Sequence, residues 1–417
     1  MILTQYSEPL QRKLLPSHRH GPRPLPLNLI TAANLYLSSN AALPLLRSGL
    51  LSWSPSLEKR GKSLLGALEN ENSDAFAAQV EMLSRARAAE FIEGLELYRN
   101  HPYQRDLSEP KILWAQGSTQ LLDYNPRSKG QPLLIVPSLV NRHYILDLTA
   151  ESSFMRWLVG QGFRPFLVDW GAPGSVERNF TITDYITQRL ESALDRVIDV
   201  CTRSISVIGY CMGGLLATSL ALRNQDAING LVLLATPWDF HSGNAAQAQL
   251  MANVGAALEP LLQTTGEVPV DVIQMLFSSL DPLLVERKFV GFAGWNMQSK
   301  AAVSFVALED WVNDGVPLAA PVARECFAGW YGANSPASGT WCVAGEIVDP
   351  TTFEKPSLVV IPANDRIVPP QSAASLCTAL PFVEIKSPST GHIGMMIGGK
   401  AETKVWKPVA QWLQELH

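Results

Sequence analysis

The stretch Gly209-Tyr210-Cys211-Met212-Gly213-Gly214 limits what this chain can fold into more than any other part of it. It follows an apolar run at residues 205–208 and precedes a run of good helix formers at residues 215–223. A strand that turns sharply into a helix brings backbones together where a Cβ would clash. The positions two before and two after the turn residue therefore favour glycine. Gly209 and Gly213 occupy them, which leaves Cys211 at the tip in a strained backbone conformation with its thiol presented outward. The plainer alternative is a buried cysteine beside a glycine-rich turn.

The surrounding rhythm supports the elbow. Short apolar runs at 133–136, 165–168, 205–208, 231–234 and 358–361 are separated by helical stretches, which predicts a mostly parallel sheet with helices on both faces. A nucleophile elbow on such a sheet is the α/β-hydrolase fold, expected here as a catalytic domain over residues 111–417. Between about 240 and 345 the rhythm gives way to helices and loops carrying Phe277, Phe292, Trp295, Phe305, Trp311, Trp330 and Trp341. Each aromatic taken singly reads as core, but the segment as a whole reads as a cap inserted over the active site. Residues 1–110 read as a helical N-terminal region. Pro22, Pro24 and Pro26 alternate in an extended segment, and Pro44 interrupts the apolar stretch 27–51, through which no helix runs unkinked. The spacing of Phe76, Val80, Leu83, Phe91 and Leu95 predicts an amphipathic helix over 74–98, with Asn72 or Ser73 as N-cap. Its apolar faces suit the core, a partner subunit or a lipid-like polymer surface.

Charge and cysteine usage remove several function classes. With 33 Lys and Arg against 38 Asp and Glu, the net charge is -5 and the basic residues are scattered, so there is no electrostatic footprint for nucleic acid. Cys201, Cys211, Cys326, Cys342 and Cys377 form no C-x-x-C pair, and no histidine pair has metal-ligand spacing; reduced thiols and a metal-free site are expected. The N-terminal stretch Met1 to Glu8 lacks the features of a secretory signal, and no apolar run reaches transmembrane length. The expectation is a cytoplasmic protein.

A thiol nucleophile needs a base, and the base an orienting acid; on this fold they follow in the order acid, then histidine. Asp365 lies in a loop leaving the run 358–361, and His392 lies in the later loop Gly391-His392-Ile393-Gly394. Asp239 is a rival acid, and His241 and His143 are rival bases. His18, His20, His101 and His417 read as surface or structural. The charge on a tetrahedral intermediate calls for backbone donors. The amide of Met212, at a helix N-terminus that favours anions, is one, and Val140 in the loop after the first central strand is the candidate for the second.

From about Gln116 onward, several stretches together resemble the polyhydroxyalkanoate synthases, in particular the class III type that works with a second subunit. They are Leu139-Val140-Asn141-Arg142 with Tyr144-Ile145-Leu146-Asp147-Leu148, Val168-Asp169-Trp170-Gly171, Asp184-Tyr185-Ile186, the elbow, Thr236-Pro237-Trp238-Asp239-Phe240, residues 365–370, and the loop around His392. The resemblance implies that Cys211 is the acylated nucleophile, His392 its base and Asp365 the acid. It implies a 3-hydroxyacyl-coenzyme A substrate with no further cofactor, a growing polyester or granule surface as partner, and a second synthase subunit or a homodimer. The chain departs from that family at Arg366, where histidine is usual, and in a longer N-terminal region. Arg142 and Arg366 could meet coenzyme A phosphates or simply be solvated. The alternatives are a cysteine-dependent hydrolase acting on thioesters, lactones or the polyester, and a non-catalytic granule-associated subunit.

Overall fold

The computed structural model describes residues 19–69 and 71–416. The expectations for Met1 to Glu8, His18 and His417 lie outside the described residues. All five apolar runs become neighbouring parallel strands: β3 (Pro132–Val136), β4 (Arg164–Asp169), β5 (Ile205–Tyr210), β6 (Ile228–Leu234) and β7 (Ser357–Val360). Every residue of β3, β5 and β7 is buried, as continuous apolar runs require when helices cover both faces. Three more strands complete an eight-stranded sheet. β1 (Lys111–Gln116) and β2 (Thr119–Asp123) form an antiparallel hairpin on one side, and β8 (Val383–Lys386) is the opposite edge. The order is β1-β2-β4-β3-β5-β6-β7-β8, parallel throughout from β4 to β8. The loops bearing Val140, Cys211, Asp365 and His392 therefore all leave the carboxyl ends of parallel strands, where ligands bind in open α/β sheets.

The contacts divide the chain into two units. One comprises Arg105–Pro282 and Leu308–His417 and contains the sheet; the other comprises Met1–Gln104 and Leu283–Ala307. The segment 240–345, expected as a single insertion, is thus shared between the units. Aromatic packing is the reason. Phe289 and Phe292, on the helix Leu284–Ala293, and Ala302 and Val306 form a core with Ala32, Phe91, Leu95 and Tyr98. Gly94 is required there, because a Cβ would fall 2.0 Å from the Phe289 carbonyl oxygen. Beside this core Glu286, almost fully buried, accepts from Arg87 Nε at 2.6 Å and from the Tyr36 hydroxyl at 2.8 Å.

Local signals in this helical unit are obeyed in part. Pro26, expected in an extended segment, lies in the first turn of the helix Leu25–Ala41, where proline is well tolerated. Leu83, expected on the apolar face, is exposed. The long helix spans Ser73–Asn100, with the Asn72 side chain accepting from the amides of Asp74 and Ala75. The apolar stretch near Pro44 is split into Leu25–Ala41 and Leu43–Arg47, with the proline in the first turn of the second helix, where its missing N–H costs nothing.

Candidate active site

Cys211 has φ 55° and ψ -129°, a region that costs a non-glycine residue on the order of 1–3 kcal/mol and persists only where the surroundings impose it. The surroundings here are the end of the sheet and the first turn of the helix Met212–Arg223. The Cys211 amide donates to Leu234 O at 2.9 Å, and its carbonyl accepts from Gly214 N at 2.9 Å. Close approach explains the glycines. A Cβ on Gly209 would lie 2.4 Å from Gly214 Cα, one on Gly213 would lie 2.1 Å from Val136 O, and one on Gly214 would lie 1.8 Å from Thr236 Oγ1.

Asp365 and His392 meet through a hydrogen bond of 2.6 Å between Oδ2 and Nδ1, both side chains being almost completely buried. The other carboxylate oxygen of Asp365 accepts from the amides of Ile367 and Val368 at 2.8 and 2.9 Å. Two backbone donors and one imidazole thus fix the acid. With Nδ1 engaged by Asp365, Nε2 is the ring nitrogen left for Cys211. Burial alone would disfavour a charge on His392. Electrostatic interaction with Cys211, the hydrogen bond to Asp365 and the Asp365 charge outweigh it and push the imidazole up to about 10. Tyr210 steadies the same loop: its hydroxyl donates to His392 O at 3.2 Å, and the two rings lie 5.3 Å apart.

A cavity of about 250 Å³ opens over Cys211. Ser138, Val140 and Met212 line it together with Cys211, and Val268, Ile273, Leu276, Phe277, Leu318 and Phe327 make the wall largely apolar. Phe240, Trp330 and Tyr331 close it as an aromatic cluster, Phe240 stacking on Trp330 at 5.7 Å and meeting Tyr331 edge-on at 5.0 Å. Cys326 also lines the cavity, and burial pushes its thiol far up, which keeps it unreactive beside Cys211.

The model of the alpha/beta hydrolase fold family matches residues 131–398, a span that holds the elbow, the His392–Asp365 pair and the cavity wall. The chain belongs to that family. Within this α/β-hydrolase, residues 54–158 also match the model described as the N-terminus of poly-beta-hydroxybutyrate polymerase. Curated relatives are named poly(3-hydroxyalkanoate) polymerase subunit PhaC. The chain is similar to the one from Haloferax mediterranei at 28% identity over 315 residues, 73% of this chain and 63% of that protein. The Allochromatium vinosum protein is 28% identical over 346 residues, 80% of this chain and 96% of that one. The Synechocystis protein is 29% identical over 296 residues, 68% and 78% respectively. The match therefore spans less than two thirds of the Haloferax protein and nearly all of the Allochromatium one.

The rival residues of this α/β-hydrolase are engaged elsewhere. Asp239 Oδ1 accepts from the amides of His241 and Ser242 and from Asn334 Nδ2, so it organises its own loop. His241 Nε2 bonds to Tyr331 O at 2.8 Å, and His143 Nδ1 lies 2.9 Å from Asp169 Oδ1. In the helical unit His101 is taken up by Met297 O and the Tyr103 amide, while His20 is exposed. Arg142 lies 3.4 Å from Asp314, and the exposed Arg366 reaches Asp281 at 3.3 Å.

Of the two oxyanion candidates, Met212 supplies the first amide of the elbow helix. The Val140 amide already donates to Ser138 Oγ at 2.9 Å. Sequence reasoning passed over both Ser138 and Tyr210. Tyr210 directly precedes the nucleophile, and that adjacency was the available signal; nothing in the sequence marks Ser138.

Proposed function

We propose that this protein is an acyltransferase of the polyhydroxyalkanoate synthase type, moving 3-hydroxyacyl groups from coenzyme A thioesters through a Cys211 acyl-enzyme onto a growing polyester. One observation carries the reading: a cysteine, rather than an oxygen nucleophile, stands at a strained elbow, electrostatically coupled to a buried His392–Asp365 pair under an apolar cavity. The similarity to PhaC proteins directs it to this substrate class. A thiol suits the task because exchange of one thioester for another loses little free energy, so the enzyme-bound acyl group can still acylate an alcohol.

The Cys211 thiolate attacks the thioester carbonyl, the C=O electron pair moves onto oxygen, and collapse expels coenzyme A, which takes its proton from the His392 imidazolium. The imidazole, now neutral, accepts the proton of the hydroxyl of another acyl unit as that oxygen attacks the acyl-enzyme. Asp365 holds the imidazole in orientation throughout. The apolar wall and the Phe240–Trp330–Tyr331 cluster exclude the water that would hydrolyse the intermediate. No metal or organic cofactor takes part, and coenzyme A enters only as the carrier of substrate. The site of action is the surface of a cytoplasmic polyester granule.

The test is incubation of the purified protein with 3-hydroxybutyryl-coenzyme A, following free coenzyme A and product mass together. Release accompanied by high-mass polyester is expected, and none from Cys211→Ala. Release of 3-hydroxybutyrate alone would make the enzyme a hydrolase, and undiminished release from Cys211→Ala would remove the nucleophile assignment.

A further inference from the structure

Ser138 stands just beyond β3, and its side-chain oxygen already holds the amide that chain order nominates for the oxyanion, the Val140 N–H donating to it at 2.9 Å. A hydroxyl has one hydrogen to give and two lone pairs to receive with. With a lone pair occupied by Val140, its own hydrogen has no acceptor among the described residues. The side chain is half-buried and faces the same cavity as Cys211 and Met212.

Its loop is also fixed from several sides. Trp170 Nε1 donates to Pro137 O at 2.9 Å, Trp311 Nε1 donates to Arg142 O at 2.8 Å, and the Tyr144 hydroxyl donates to Asp314 Oδ2 at 3.0 Å. A donor held in this way needs no reorganisation when charge develops, which is the condition for effective oxyanion stabilisation.

We propose that the Ser138 hydroxyl, backed by the Val140 amide, is the second oxyanion donor, acting opposite the Met212 amide. The inference rests on the acyl-transfer reading only in requiring that Cys211 attack an acyl carbonyl. As the Cys211 sulfur–carbon bond forms, the carbonyl π pair becomes a lone pair on oxygen, and Ser138 donates its O–H to that oxygen without losing the proton. The Val140 N–H, donating to the same hydroxyl, polarises it further. When the intermediate collapses, the pair returns to the carbonyl and the leaving group departs with the electrons of its bond.

The experiment is the acylation burst of the full-length protein with p-nitrophenyl butyrate, compared between wild type, Ser138→Ala and Ser138→Thr. Iodoacetamide alkylation of Cys211, which forms no oxyanion, is measured alongside. Ser138→Ala should slow the burst on the order of 10²–10³-fold, as loss of one oxyanion donor does, with KM nearly unchanged and alkylation unaffected. Ser138→Thr keeps the hydroxyl and should recover most of the rate. If the Val140 amide is itself the donor, Ser138→Ala frees it, and an unchanged or faster burst would overturn the proposal. A parallel loss of alkylation would also overturn it, since the defect would then lie in the thiol. A wild type that bursts with the ester but releases no coenzyme A from 3-hydroxyacyl thioesters would defeat the synthase reading and leave the Ser138 assignment standing; a wild type with no burst would defeat both.

Discussion

Replacing Gly213 by alanine should damage stability and catalysis together, and the structure sets the scale. The new Cβ would lie 2.1 Å from Val136 O and 2.5 Å from Pro137 O, whereas real Cβ atoms essentially never come within 3.0 Å of another heavy atom. The end of β3 or the start of the elbow helix must therefore give way by about 0.9 Å, close to the 1 Å displacement that can cost ~10²-fold in rate. Neither moves freely, because Val136 is paired with Gly209 in the sheet. The obstacle is backbone rather than a flexible side-chain end, which puts the cost near the top of the ~1–3 kcal/mol range for overpacking. For a unit of this size about 3 kcal/mol corresponds to a fall in Tm of roughly 5–10 °C. The displaced carbonyls belong to the strand end that carries Ser138 and Val140, so the acylation burst should fall by about 10²-fold as well. Thermal melting followed by circular dichroism and the p-nitrophenyl butyrate burst measure the two effects. Gly160→Ala is the control: no atom lies within 4 Å of its added Cβ, and alanine at a helix position should be neutral or stabilising by up to about 1 kcal/mol. If Gly213→Ala melts within about 1 °C of wild type and bursts normally, the close approach at the elbow is wrong.

Two further outcomes are expected. The His392 ring, followed by NMR, should titrate near 10, and lower in Cys211→Ala, where the interaction that does most to raise it is gone. Because the folded value exceeds the ~6.5 of an unfolded histidine, the stability His392 brings is complete below about pH 6.5 and lost as pH rises through about 10. An advantage over His392→Gln that stayed constant across that window would contradict this. In the helical unit, Arg87→Met leaves the Glu286 carboxylate buried without its charged partner. Urea unfolding should show a loss of about 2 kcal/mol, below the 3–5 of a fully buried pair because Arg87 is half-exposed, and a loss under ~0.5 kcal/mol would refute it.

The central strands were legible because burial on both faces writes them as unbroken apolar runs, and the elbow because close approach restricts Gly209 and Gly213 to one residue type. The edges were not. β8 is Val-Glu-Ile-Lys, with no apolar run, and β1 holds the run 112–115 yet is mostly exposed, so what makes them strands is the neighbour they pair with. The loops bearing Asp365 and His392 could be read from chain order, and the structure brings these two side chains together at 2.6 Å. Ser138 could not be read in this way, because its significance is a bond to the amide two residues on and a position on a cavity wall. The division of the 240–345 segment was equally hidden, since Phe289 and Phe292 find Phe91 and Tyr98 across almost two hundred intervening residues.

That long separation matters while the chain is being made. The helix Ser73–Asn100 leaves the ribosome well before the helix Leu284–Ala293 exists. At roughly 5–20 residues per second, Phe91, Leu95 and Tyr98 wait on the order of 10–40 s for the strand of nascent chain that covers them. In that interval the helix Ser73–Asn100 waits for its last partner, and the face bearing Phe91, Leu95 and Tyr98 lacks that cover. The hydrolase sheet between them meanwhile gains its first six strands, so the N-terminal helices close over a segment threaded out of a domain already under construction.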